Sequence, residues 1–138
     1  LGTEGAPLSE GEKADGRGGF DDNADGYFSM YANEYMTENR DVYFDGSFSD
    51  AKGSYPIMLK FELDENYFPG VCYYHNINYD TKLKMSVRFT EEEMIIRGKA
   101  NGSDFVMNFT PTTDGKWKGR AQSGTSYLNA EIRPRSPR

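Results

Sequence analysis

The chain has one cysteine, one histidine and one tryptophan in 138 residues. A single cysteine excludes an internal disulfide framework and any multi-cysteine metal or cluster site, and a single histidine excludes a multi-histidine metal site. Long apolar runs are missing as well, since no stretch approaches the ~20 apolar residues of a membrane-spanning helix. Hydrophobic residues make up only 36%, below the usual share for a globular domain. A disordered chain would also be poor in aromatics, and this one is not: ten Tyr and nine Phe supply most of its apolar bulk. The chain is expected to fold around rings, and its length suits one domain.

Charge is unevenly placed. Residues 1–41 carry ten acidic and three basic side chains, whereas residues 42–138 carry twelve and thirteen. The total of −6 therefore belongs to the N-terminal segment. The remainder is nearly neutral and lacks the basic footprint of a nucleic-acid-binding domain, so no nucleic-acid partner is expected. Residues 1–26 are rich in Gly, Asp and Glu with few apolar side chains and read as an acidic tether, leaving 27–138 as a single domain. The chain begins at Leu1 rather than Met. An acidic, Gly-rich leader before a small β domain fits a mature extracytoplasmic protein: secreted, periplasmic, or an outer-membrane lipoprotein anchored by a lipidated Cys just upstream of Leu1.

From residue 42 onward the apolar period is two. Tyr55, Ile57, Leu59, Phe61 and Leu63 alternate with mostly polar neighbours, as do Leu83, Met85, Val87 and Phe89, and then Phe105, Met107 and Phe109. Such alternation marks half-buried strands. Weaker alternation runs through Val42, Phe44 and Phe48, through Met94 and Ile96, through Trp117 and Ala121, and through Leu128, Ala130 and Ile132. Residues 70–79 are ambiguous: Val71, Tyr73, His75, Ile77 and Tyr79 make one face, and Cys72 and Tyr74 fall on the other. The first of these is taken as inward. Turn dipeptides such as Asn101-Gly102, Asp114-Gly115 and Ser123-Gly124 separate the runs. About eight strands over 42–133 with short links predict an antiparallel meander. Closure into a small barrel removes its edges, and a two-sheet β-sandwich is the alternative. Before the strands, Tyr27, Tyr31 and Tyr35 recur at helical spacing, which predicts a short helix over about 27–38 closing one end.

The order Phe44-x-Gly46, Tyr55-Pro56-Ile57-x-Leu59, Gly70-x-x-Tyr73-Tyr74, Leu83-x-Met85, Glu92-x-Met94-x-Ile96 and Gly115-x-Trp117-x-Gly119 resembles that of small secreted bacterial β-barrels of the lipocalin-like or streptavidin-like type. The resemblance spans about residues 42–133. It implies an eight-stranded up-and-down barrel and an extracytoplasmic location, and it brings no catalytic residues.

Few residue groups suggest chemistry. Asp21-x-Asn23-x-Asp25-Gly26 opens like a calcium loop, with oxygen ligands at positions 1, 3 and 5 and a glycine for the turn, but Ala32 stands where the bidentate carboxylate belongs. Asp21, Asn23 and Asp25 are thus candidate ligands for calcium, and otherwise no cofactor is expected. Cys72 and His75 are three apart on a strand and point to opposite faces, so they do not pair as nucleophile and base. Ser49-Asp50-Ala51-Lys52 has the S-x-x-K spacing without its partner motifs. Glu91-Glu92-Glu93 is a charge run at a turn, with a solvated face as its ordinary role. No enzyme is expected. An eight-stranded barrel is either just filled by side chains or holds one small ligand. Gly46, Gly98, Gly119 and Ala121 are small inward positions that leave room in one sector, and Tyr55, Tyr73, His75 and Trp117 are the polar-tipped groups to orient a ligand there. The expectation is a non-enzymatic binding protein with a small apolar or amphipathic ligand in its mouth. The alternative is a solid barrel acting as a protein-interaction or inhibitor module on an envelope protein.

Overall fold

A computed structural model describes residues 23–136. Helix α1 (Ala24–Tyr35) precedes eight strands: β1 (Asp41–Asp50), β2 (Gly53–Leu63), β3 (Pro69–Asn76), β4 (Thr81–Phe89), β5 (Met94–Ala100), β6 (Ser103–Pro111), β7 (Trp117–Ser123) and β8 (Ser126–Pro134). Each strand pairs antiparallel with the next, and β8 pairs with β1 to close the barrel. The meander follows from the turns. Asn101 and Gly102 both take positive φ, 53° and 81°, the type I′ pair that suits a two-residue hairpin. At the β1–β2 turn, Asp50 Oδ1 accepts from the amides of Lys52 (2.9 Å) and Gly53 (3.1 Å). Closure rather than a sandwich is set by Phe44↔Pro134 to Ser49↔Asn129, which leaves β1 and β8 no free edge along that length.

Helix α1 begins three residues before its expected start and ends three before its expected end. Ala24 N–H donates to the Glu91 carbonyl at 2.9 Å, fixing the first turn to the β4–β5 link, and Met36 is already extended. Residues 24–26, read as the end of the tether, are therefore helical, while residues 1–22 lie outside the described residues. The buried stripe is also different. Ala24, Phe28 and Ala32 face the core, and Tyr27 and Tyr35 pack at its edge. Tyr27 and Tyr35 flank the contact rather than make it. Two alanines let the helix axis come close, and the one large ring between them enters the barrel end.

Inside, the rings form two layers. At the helix end, Phe28 contacts Phe44 (6.0 Å between centroids), Phe61 (5.1 Å), Phe89 (5.8 Å) and Trp117 (6.4 Å). At the other end, Phe48, Tyr74 and Phe105 contact one another at 5.0 to 6.2 Å. Ile57, Leu59, Met94, Ile96 and Met107 fill the space between, all fully buried. Offset and edge-to-face ring pairs contribute about 0.5–1.5 kcal/mol each beyond their area.

Strand β3 has the opposite phase from the one expected. Cys72 and Tyr74 point inward, and Val71, Tyr73 and His75 lie on the outer wall. Both faces of this strand are apolar enough to be core, so its own alternation does not decide. Its register with β2 does. Cys72 lies opposite Phe61, and Tyr74 opposite Leu59, and both of those partners are already fixed inward.

The small inward positions leave no room. A Cβ at Gly98 would meet Met85 Cγ at 3.0 Å, so that side chain already occupies the space. At Gly46 it would meet the Glu131 carbonyl oxygen at 2.2 Å, and at Gly119 the Asn108 carbonyl oxygen at 1.7 Å. These two glycines mark close backbone approach between neighbouring strands.

Beyond β8 the chain stays on the wall. Arg135 N–H donates to the Tyr43 carbonyl at 2.7 Å, and its guanidinium covers the Tyr43 ring at 5.4 Å. Nε donates to Asp45 Oδ2 at 2.9 Å, and this hydrogen bond holds the Asp45 carboxyl below the usual carboxylate range.

Candidate functional site

The four residues expected to orient a ligand are not brought together. Trp117 is 1% exposed and sits in the ring layer under α1. Tyr55 is at the opposite rim, where its hydroxyl donates to Asp50 Oδ1 at 3.2 Å. Tyr73 lies on the outer wall with Lys60 over its ring at 5.2 Å. His75, also outside, shares a 2.9 Å hydrogen bond with Asp80. That bond, with Lys82 beside it, holds the Asp80 carboxyl below the usual carboxylate range. The separation has two causes: the reversed phase of β3, and the placement of Tyr55 and Trp117 at opposite ends of the barrel.

The two outer positions of the candidate calcium loop fare differently. Asp21 lies outside the described residues. Asn23 precedes α1, and Asp25 and Gly26 belong to its first turn, so this stretch is wound into helix where the sequence suggested a loop folded around an ion. An acidic side chain in a first helical turn interacts favourably with the helix dipole. Among the described residues, no group of three His, Cys, Asp or Glu gathers as a metal would require.

Cys72 is 0% exposed, and burial pushes its thiol pKa far up. A thiolate is the reactive form, so Cys72 should be inert to iodoacetamide and to a chromogenic disulfide reagent in the native protein. It should react fully once the chain is unfolded in guanidinium. Rapid labelling without denaturant would show that the barrel opens far more readily than its packing implies.

No family model, curated protein or solved structure matches this chain. Its distinguishing features are on its own surfaces.

Two such surfaces stand out. The first is the tip of the β3–β4 hairpin at the open end. Tyr79 is 75% and Ile77 48% exposed, yet the tip is braced. Ile77 N–H donates to the Pro56 carbonyl (3.2 Å), Tyr79 N–H to Asn76 Oδ1 (3.3 Å), and His75 holds Asp80. The second is on the wall of β6, β7 and β8. There a concavity of about 410 Å³ lined by Asp50, Tyr127 and Asn129 adjoins one of about 430 Å³ lined by Glu93, Asn108 and Gln122. Arg120 and Tyr127 line both. Sequence reading missed each of these surfaces. The tip was absorbed into an over-long third strand ending at Tyr79, and Tyr127 falls on the polar face of a weakly alternating run. Two bases on the wall pair with acids: Lys99 with Asp104 at 2.9 Å and Lys116 with Glu131 at 3.5 Å.

Proposed function

We propose that the protein is a non-enzymatic interaction module of the extracytoplasmic space: a solid barrel that meets an envelope protein through the β3–β4 tip. The interior supports this, because Phe48, Tyr74 and Phe105 close the open end over a core already filled by apolar side chains. A small apolar ligand in the mouth, the other reading, would have to displace one of those rings. The tip supplies what interface centres use, an exposed tyrosine on a backbone that is already ordered, so little entropy is lost on docking. The extracytoplasmic setting is what the resemblance of the strand motifs to small secreted β-barrels implies. A non-enzymatic role fits Cys72, which is sealed in the core, and His75, which is bound to Asp80 on the outside.

The interior is tested by thermal unfolding with fatty acids and an anilinonaphthalene sulfonate probe. A ligand at ~100 times its Kd would add ~2.7 kcal/mol, a shift of several degrees. The wild-type chain should show none, and Phe105→Ala, which opens the mouth, should show one. A saturable shift in the wild type would overturn the solid-barrel reading. The tip is tested with a photo-crosslinking amino acid at position 79 and, separately, at position 99 on the wall. Discrete adducts from 79 alone are expected, and identical adducts from both positions would remove the tip as the contact.

A further inference from the structure

The paired concavities around Arg120 and Tyr127 have a composition that differs from the rest of the wall. Tyr127 is 56% exposed and lies on a rigid floor, opposite Gln122 across the β7–β8 pair. Arg120 lies opposite Asn129 on β8 and opposite Asn108 on β6, and its guanidinium is stacked over the Tyr127 ring at 5.5 Å. No carboxylate pairs with Arg120 among the described residues. The surrounding groups are planar and hydrogen-bonding, and several are already oriented. Asn108 Nδ2 donates to Glu93 Oε1 at 2.9 Å, and Gln122 Nε2 donates to the Gly124 carbonyl at 3.1 Å. Asp50 Oδ1 is fixed by the turn amides that it accepts from.

We propose that this double concavity is a binding site for a neutral saccharide of two or more units, with the Tyr127 ring as its stacking platform. The site is on the outer wall and does not depend on what the β3–β4 tip contacts. An apolar ligand would strip water from Glu93, Asn108, Gln122 and Asn129 and return no hydrogen bonds, which is costly for each group. An anionic ligand would bring its charge beside Glu93 and Asp50, two carboxylates against the single cation Arg120. A pyranose has what both of those lack. Its C–H face lies on an aromatic ring, and its edge of hydroxyls both donates and accepts. The amides, carboxylates and guanidinium here offer both roles in fixed planes. Each concavity falls within the roughly 300–1,000 Å³ of small-molecule sites. Their shared Arg120–Tyr127 ridge makes them neighbouring subsites rather than two separate ones.

The test uses the full chain labelled with ¹⁵N and millimolar cellotriose, chitotriose, mannotriose and xylotriose, each followed by amide shift perturbation. At least one should give saturable shifts centred on Gln122, Tyr127 and Asn129. Tyr127→Ala should weaken that binding by about tenfold or more, which is the effect of a lost ring platform. Tyr127 is exposed, so the variant should unfold at the wild-type temperature. Arg120→Gln should weaken binding without abolishing it. The proposal is overturned if none of the four perturbs these amides, or if Tyr127→Ala binds as the wild type does. It is also overturned if a sulfated saccharide or inorganic phosphate shifts the same amides more strongly than the neutral sugars, since the site would then be an anion site.

Discussion

Replacing Phe28 by Ala should cost about 3–5 kcal/mol of stability, the range for truncating a buried Phe in a core that cannot collapse around the gap. Phe28 is the hub of the lower ring layer, touching four other aromatic side chains that come from β1, β2, β4 and β7. Those rings are held on strands that hydrogen bonds fix in a closed sheet, so they cannot move inward to fill the space. The helix itself would also lose its anchor. Among its described side chains the other fully buried ones are Ala24 and Ala32, which bury little apolar area to hold a 12-residue helix against fraying. Urea unfolding should show a lower midpoint with an unchanged slope if the helix stays docked. A lower midpoint with a smaller slope is expected if it leaves the barrel end, because less surface then remains to be exposed. A loss below about 1 kcal/mol would mean that Phe28 does not plug the barrel. Phe28→Leu, which keeps most of the volume, should recover more than half of the loss.

Gly119→Ala should be of comparable size, although it adds one methyl group and removes nothing. The new Cβ would stand 1.7 Å from the Asn108 carbonyl oxygen and 2.7 Å from its carbonyl carbon. Both are backbone atoms of β6, so the clash is relieved only by parting β6 from β7 at Phe109↔Gly119, in the middle of their ladder. Overpacking of this kind costs about 1–3 kcal/mol and more when backbone must move, and at Gly119 the upper end is expected. For a domain of this size that lowers Tm by roughly 10 °C. Gly53→Ala is the control: nothing lies within 4 Å of its new methyl, and the change should be small. Equal Tm values for the two variants would refute the close approach at Gly119.

The barrel was legible because alternation, turn dipeptides and short links agree with one another over residues 42–133. Strands such as β2 and β6 carry Ile57, Leu59 and Phe61, or Phe105, Met107 and Phe109, on one face only, and a one-residue slip would expose all of them. Strand β3 was not legible for the opposite reason. Val71 and Tyr73 are as apolar as Cys72 and Tyr74, so the decision passes to its ladder partners on β2 and β4. The helix illustrates a second limit. Three tyrosines four apart made the visible stripe, but a ring that packs at the mouth of a barrel needs small neighbours, and the two alanines beside Phe28 carry little pattern of their own. The four residues expected to orient a ligand are dispersed by the phase of β3 and by the depth of Trp117, because periodicity gives the face of a residue and not its height along the barrel. The Tyr127 wall site carried no motif at all. It exists only because closure brings the polar faces of β6, β7 and β8 side by side.

Seven of the eight strand pairings join neighbours in the chain. The eighth, β1 with β8, joins Phe44 to Pro134 and is finished by Arg135 reaching back to Asp45, 90 residues away. Hairpins can therefore accumulate one after another at small loop-closure cost, and the single long-range step comes last. During synthesis the barrel cannot close until the final strand has left the ribosome. Until then β1 and β7 are open edges, ready to accept the β8 of another copy. A chain cut before Ser126 should not be a slightly weaker barrel but an aggregation-prone sheet, and β8 supplied in trans as a peptide should restore the monomer.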